Sequence, residues 1–273
     1  MSFSPSPERL ASLLPEVIRI ARAAGEEILH VYRCEFAVEL KGDQTPLTAA
    51  DLAAQHLIET ELAKLTPDVP MLGEESKPEC IAARRGWPTL WLVDPLDGTR
   101  EFVERNGDFT VNIALVHDHA PVLGVVYAPA IAALYAGIPG QGAWRAQADG
   151  RLQPIAVART SAAVPRVLVS RSHRGRSLDA MLARMGAHEL VPVGSALKFG
   201  LLAEGRGDLY ARLSPTSEWD TAAGQAVAIA AGAQVETPDG EPLRYNTRDD
   251  LVNPCFIAYA DTARNWRQLC CDA

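Results

Sequence analysis

Between Glu8 and Tyr32 the apolar positions Leu10, Leu14, Val17, Ala21, Ala24, Ile28 and Tyr32 recur at steps of three and four. That spacing predicts a helix with one buried stripe. A second helical stretch follows Gly42, PLTAADLAAQHLIETELAKL (46–65). Thr48 is a suitable N-cap and Asp51 stands where a capping-box acid belongs. Leu47 and Leu52 are spaced as a hydrophobic staple. The helix is therefore expected from Ala49 to Leu65. Strand patterns come next: LWLVD (90–94), TVNIALVH (110–117), VLGVVYA (122–128) and AALYAGI (132–138), separated by Gly and Pro. They predict an antiparallel sheet packed on the two helices.

From Arg166 onward the pattern alternates. RVLVS (166–170), LVPVG (190–194), DLYARL (208–213) and CFIAYA (255–260) read as strands. Helical segments are expected between them near Ser177–Met185, Ser195–Glu204 and Asp220–Ala231. Such alternation indicates an α/β layered structure. The small, proline-bearing stretch ARTSAAVPR (158–166) is the expected join between an N-terminal α+β part, 1–160, and a C-terminal α/β part, 161–273.

The 273 residues, 48% hydrophobic, suffice for one large core or two modest ones. The net charge of -8, without a run of Lys and Arg, argues against a nucleic-acid partner. An acidic protein can still bind anions where metal ions bring the positive charge. Five cysteines, none at zinc or redox spacing, are expected as reduced thiols. The polar start MSFSPSPERL has no signal-peptide pattern, and no apolar run is long enough for a transmembrane segment. The expected location is the cytoplasm, with peripheral attachment to the inner face of the membrane left open.

The candidate chemistry is acidic. In WLVDPLDGT (91–99) an apolar strand delivers Asp94 to its end, Pro95 and Leu96 turn the chain, and Asp97 follows. Such a turn can aim two carboxylates at one point and expose the Leu96 carbonyl. All three are hard oxygens of the kind Mg²⁺ prefers. Gly98 and Thr99 can present N–H groups to a phosphate, especially where a helix begins. A plain Asp-Gly turn with a solvated acid is the competing reading. In GEES (73–76), Glu74 and Glu75 should point opposite ways on an extended chain, one toward a site and one behind it. A solvated loop is the alternative. Asp220, in WDTAAG, stands at the start of an apolar helix, where a simple N-cap would also explain it. Other chemistries fail on spelling. The two acids of DPLDGT are one residue too far apart for an aspartyl-nucleophile DxDGT motif, and neither a P-loop nor HExxH is present. His117 and His119 flank Asp118 in a predicted surface turn.

PLTAAD, GEES, WLVDPLDGT and WDTAAG stand in the order and spacing of the inositol monophosphatase-like superfamily of Mg²⁺-dependent, lithium-sensitive phosphatases. The resemblance runs from about Leu10 to Tyr259. EFVERNGDFTVNIAL (101–115), SRSH (170–173) and GSALKFGLLAEG (194–205) are most similar to the branch of bacterial 3′(2′),5′-bisphosphate nucleotidases. The resemblance implies a sugar-phosphatase-like α-β-α-β-α sandwich and two or three Mg²⁺ ions held by Glu74, Asp94, the Leu96 carbonyl, Asp97 and Asp220. It implies that Asp51 and Thr99 orient the attacking water, that Gly98 and Thr99 hold the phosphate, and that Glu75 stands behind the ligands. His173, Ser195, Lys198 and Arg212 would contact the nucleotide, Lys198 as a cation for the second phosphate. The implied reaction is hydrolysis of the 3′-phosphate of adenosine 3′,5′-bisphosphate to AMP, by water and without a covalent intermediate. The implied partner is this small nucleotide bisphosphate, and no obligate protein partner follows. An inositol or sugar phosphate substrate is the alternative within the same chemistry. A nucleotide-binding sensor with little turnover is the alternative from another class, and the water-orienting pair Asp51 and Thr99 speaks against it.

Overall fold

The computed structural model describes residues 3–35, 39–40, 46–171 and 175–270, with backbone only at 39–40 and 46–47. Helix α1 (Pro7–Tyr32) opens on Ser6, whose hydroxyl accepts the Arg9 N–H, and buries the predicted stripe. After the short strands β1 (Glu39–Leu40) and β2 (Pro46–Leu47), α2 (Ala49–Leu65) starts at Thr48. Its capping box closes through Asp51, as predicted. Leu52 is exposed, and the side chain of its staple partner Leu47 lies outside the described residues.

The first sheet has seven strands in chain order: β3 (Met71–Gly73), β4 (Thr89–Asp97), β5 (Thr110–His117), β6 (Ala120–Ala128), β7 (Ala133–Ile138), β8 (Gly142–Ala146) and β9 (Leu152–Ile155). Only β3 and β4 run parallel. Strands β3, β8 and β9 escape the sequence pattern. The first is three residues long, and β9 is a largely exposed edge that tolerates Pro154. Two short helices, α3 (Pro78–Ala83) and α4 (Thr99–Val103), flank β4. The second sheet follows β10 (Arg166–Ser170), α5 (Arg176–Met185), β11 (Glu189–Val193), α6 (Leu197–Ala203), β12 (Leu209–Arg212), α7 (Glu218–Ala230), β13 (Gln234–Glu236) and β14 (Phe256–Tyr259). Its order is β11-β10-β12-β14-β13.

Three apolar cores fill the space between five layers, the middle one reaching both sides of α6 and α7. Val111, Ile113 and Leu115 of β5 face α1 and α2, while Ala114 and Val116, on the opposite face, meet α6, α7 and the second sheet. The far face of that sheet, with Val167, Leu209 and Ile257, packs on α5. The period of two along β5 thus feeds two cores from one strand. Helix α7 lies close on the first sheet because its face is alanine-rich. A side chain at Gly124 of β6 would stand 2.3 Å from the Ala223 carbonyl oxygen. The result is the layered α/β architecture expected from the sequence.

Candidate active site

The central acids depend on an irregularity in β4. Asp94 pairs with Asn112 and Asp97 with Thr110, and the register shifts between the two pairs. Three steps on β4 thus match two on β5. On a regular strand Asp94 and Asp97 would face opposite sides, because their separation is odd. The extra residue of a β-bulge brings both to one face. The predicted chain turn at Pro95 and Leu96 is therefore a bulge inside a strand that continues to Asp97. Pro95, which has no N–H to donate, suits the bulge.

Asp94 is 1% exposed, and one of its oxygens accepts the Leu96 N–H at 3.0 Å. Asp97 Oδ2 accepts from the Ala196 N–H at 2.7 Å, Asn112 Nδ2 at 3.2 Å and Thr110 Oγ1 at 3.4 Å. These donors occupy Oδ2, so Oδ1 is the oxygen available to a cation. Gly98 follows with φ 89°, which a side chain would strain, and α4 begins at Thr99. Glu74 is joined to the same strand by its N–H, which donates to the Val93 carbonyl at 3.2 Å. Glu74 and Glu75 both line the cleft. The chain turns there (Ser76 N–H to the Gly73 carbonyl, 3.1 Å), so the strand alternation used to set the two apart does not apply to this segment.

Asp51 and Asp220 reach the site by one device. Each is the third residue of a capped helix, and one of its oxygens closes a capping box: Asp51 with Thr48, Asp220 with Ser217. Asp220 is thus not the N-cap itself, since Ser217 holds that place. Thr99 Oγ1 lies 3.4 Å from Asp51 Oδ1 and 3.4 Å from the Leu96 carbonyl.

Glu74, Asp94, Leu96, Asp97, Thr99 and Asp220 share a cleft of about 770 Å³, walled further by Tyr210, Arg212, Trp219 and Val252, and Asp51 reaches it through Thr99. Burial, reinforced by Glu74, Asp97 and Asp220, raises the Asp94 pKa well above the ordinary carboxylate value. Burial also raises that of Asp97, against the pull of Lys198. Asp220 is pushed up to about 8 by burial and then by the charge of Asp97. Among the described residues no three acid, imidazole or thiol groups close tightly enough to form a cation site by themselves. Mutually repelling carboxylates do not converge unaided, and Mg²⁺ keeps waters and substrate oxygens among its ligands. The donor set, carboxylate and carbonyl oxygens crowded enough to raise one another's pKa, is the hard-oxygen kind that fits Mg²⁺.

A raised folded-state pKa favours folding below the unfolded value, near 3.8, and that contribution is lost as pH rises toward 8. Lys198 acts oppositely. Burial lowers its pKa to about 8, so its penalty is relieved only above that pH. The metal-free protein should therefore melt lower at pH 8 than at pH 5, and Mg²⁺ should restore the difference. Thermal melts in chelator and in MgCl₂ test this. A chelated melt that is flat across that range, with no Mg²⁺ shift, would refute it.

The residues expected to contact a nucleotide depart further from expectation. Ser195 is not the start of a helix: its φ is +51°, and α6 begins at Leu197. Its hydroxyl proton is shared between the Asp97 and Asp108 carbonyls, at 2.8 and 2.6 Å. Lys198 lines the cleft yet is 4% exposed, and its ammonium donates to the Ser195 and Val193 carbonyls at 2.6 and 3.3 Å. Arg212 reaches the cleft wall, and His173 lies outside the described residues. Sequence reading missed Asn112 and Thr110. Their signal is two polar side chains on one face of an otherwise apolar strand. It also missed Tyr210 and Trp219, whose aromatic character reads as core.

Residues 10–269 match the model of the inositol monophosphatase family. The chain is 46% identical over 246 residues to 3′(2′),5′-bisphosphate nucleotidase CysQ of Escherichia coli (strain K12), covering 89% of this chain and 98% of that protein. It is 36% identical to the Haemophilus influenzae protein of the same description, over 94% and 96%. Among solved structures it resembles CysQ from Bacteroides thetaiotaomicron, with a TM-score of 0.79, 41% identity, and 91% and 97% of the two chains covered. With its acids gathered in one cleft between two sheets, this chain belongs to the inositol monophosphatase family.

Proposed function

We propose that this protein is a Mg²⁺-dependent 3′(2′),5′-bisphosphate nucleotidase that hydrolyses the 3′-phosphate of adenosine 3′,5′-bisphosphate to AMP and phosphate. The observation that carries the reading is the 46% identity to a nucleotidase of that description over 98% of its length. Glu74, Asp94, Asp97, Asp220 and the Leu96 carbonyl would hold two or three Mg²⁺ ions, with Glu75 behind them. Bound there, Mg²⁺ neutralises the phosphate and lowers the pKa of water. The N–H groups of Gly98 and Thr99 hold the phosphate oxygens. Thr99 donates its hydroxyl proton to Asp51, which frees a lone pair to accept the proton of the attacking water. No side chain becomes bonded to phosphorus.

Tyr210, Trp219 and Val252 give one wall of the cleft an apolar face suited to a nucleobase. Arg212, Lys198 and His173 are the cations proposed for the second phosphate. Ser195 serves this end by holding the Asp97 backbone in place, since its proton is already committed. The free thiols among the described cysteines support a cytoplasmic enzyme, with peripheral attachment to the inner face of the membrane left open.

A phosphate-release panel in Mg²⁺ tests the assignment against its alternative. It compares adenosine 3′,5′-bisphosphate, inositol 1-phosphate, fructose 1,6-bisphosphate and AMP. The bisphosphate nucleotide should lead in kcat/KM by about 10²-fold or more, the discrimination of a site that binds a second charged group. Preference for inositol 1-phosphate would move the enzyme to the inositol branch. Binding of the nucleotide without phosphate release would make it a sensor.

A further inference from the structure

A second polar centre lies outside the cleft. Arg84, in the 3₁₀ turn 84–86 that follows α3, is 1% exposed. Its Nη1 donates to Asn246 Oδ1 at 2.7 Å, and its Nη2 donates to the carbonyls of Arg248, Asp249 and Asp250 at 2.8, 2.6 and 3.1 Å. Asn246 donates in return through Nδ2 to the Arg84 carbonyl at 2.8 Å. Neither residue lines the cleft.

The segment held this way, 245–253, is laced on its other side to the start of α7. The Asn246 N–H donates to Glu218 Oε2 at 2.8 Å, and the Glu218 N–H donates to the Leu251 carbonyl at 2.8 Å. Asn253 Nδ2 donates to the Ser217 carbonyl at 2.7 Å and to Thr221 Oγ1 at 2.9 Å. Glu218 is fully buried, and the charges of Arg84 and Glu218 act on each other. Two segments that carry cleft acids are therefore tied through a third. Arg84 closes the stretch that begins with Glu74 and Glu75, and Glu218 precedes Asp220 by two residues in the same helical turn. A buried charged pair is weak as a source of stability, because apolar side chains of similar volume often do as well. What the fork of a guanidinium supplies is geometry: several carbonyls fixed at once by one rigid plane.

We infer that Arg84 is a positioning residue which, through Asn246 and Glu218, sets Asp220 against the segment of Glu74 and so tunes the cation affinity of the cleft. The inference rests on the reading of Glu74 and Asp220 as Mg²⁺ ligands. Asn246→Gly is the cleanest test. Asn246 has φ +56°, which glycine adopts freely, its backbone N–H to Glu218 survives, and no charge changes. The side-chain bonds to Arg84 and the longer one to the Trp87 carbonyl are cut, while Arg84 keeps the carbonyls of Arg248, Asp249 and Asp250. Titration calorimetry with MgCl₂ alone, on wild type and variant, reads affinity without turnover. The variant should bind Mg²⁺ about 5–20-fold more weakly, below the roughly 10–100-fold seen when direct partners of metal ligands are removed. Its kcat at saturating Mg²⁺ should stay within about twofold of wild type, since no group touching substrate is lost. Whether or not Asn246→Gly folds, Arg84→Lys keeps the charge but not the fork, and should weaken Mg²⁺ binding in the same way. Wild-type Mg²⁺ affinity in folded Arg84→Lys, which loses the fork itself, would overturn the inference and leave the network purely structural, whatever the variant's melting temperature. A wild-type protein that takes up no Mg²⁺ would overturn the ligand reading along with it.

Discussion

Asp94→Asn should abolish almost all turnover while making the metal-free protein more stable. Burial of Asp94, and after it the charges of Glu74, Asp97 and Asp220, already push its pKa upward. Asparagine keeps the shape and can still accept the Leu96 N–H, so the bulge should survive. It removes the buried charge, which relieves repulsion in the empty cleft. The metal-free melting temperature should rise by roughly 2–8 °C, corresponding to about 1–2 kcal/mol in a chain of this size. The lost charge is the one proposed to hold the cations that stabilise the transition state, a contribution of several kcal/mol. Turnover should therefore fall by ~10³-fold or more. Rate assays and chelated melts on one preparation read both effects. Their opposite signs separate a lost ligand from a damaged fold. Near-wild-type turnover would remove Asp94 from the cation site.

Thr99→Ala and Asp51→Asn should lower kcat by about 10²–10⁴-fold with KM changed little, the size of general-base assistance. The argument for Asp51 lies in its two oxygens. Oδ2 accepts from the Thr48 N–H at 2.8 Å and the Thr48 hydroxyl at 2.7 Å, while Oδ1 faces Thr99. An asparagine must keep its oxygen in the capping box, where two donors require it. Its NH₂ group then faces Thr99 and reverses that hydrogen bond. The threonine hydroxyl becomes an acceptor to Asn and no longer has a carboxylate to take its own proton as it accepts one from water. Thr99→Ser should recover most of the rate, because it restores the hydroxyl. Unchanged kcat in both the Ala and Asn variants would show that the attacking water reacts without this relay.

The long helices were legible because local signals coincide with burial. The α1 stripe recurs every three or four residues and the α2 capping box joins residues three apart, and the folded chain keeps both. Strands β8 and β9 were not legible, since a short, half-exposed edge leaves little alternation to read. The acids were legible as residue types in a particular order, because ligand chemistry resides in the side chain itself. Lys198 shows the boundary. Its sequence neighbours leave open both a solvated helix lysine and a phosphate contact, and the fold removes the solvated reading by burying it against the carbonyls of Val193 and Ser195 at the cleft.

Residue order and local periodicity thus decide the elements, the layered class and the candidate acids of this protein, since each rests on side chains close together in the chain. Tertiary structure decides how those acids meet. The pairing of β4 with β5 creates the bulge that brings Asp97 round to the face of Asp94. The Ala196 N–H, 99 positions along, settles which oxygen of Asp97 remains available. Arg84 joins a loop more than 160 positions away, and with it the start of α7. No local pattern encodes such contacts, because packing two sheets against one shared helical layer brings together residues that periodicity treats as unrelated.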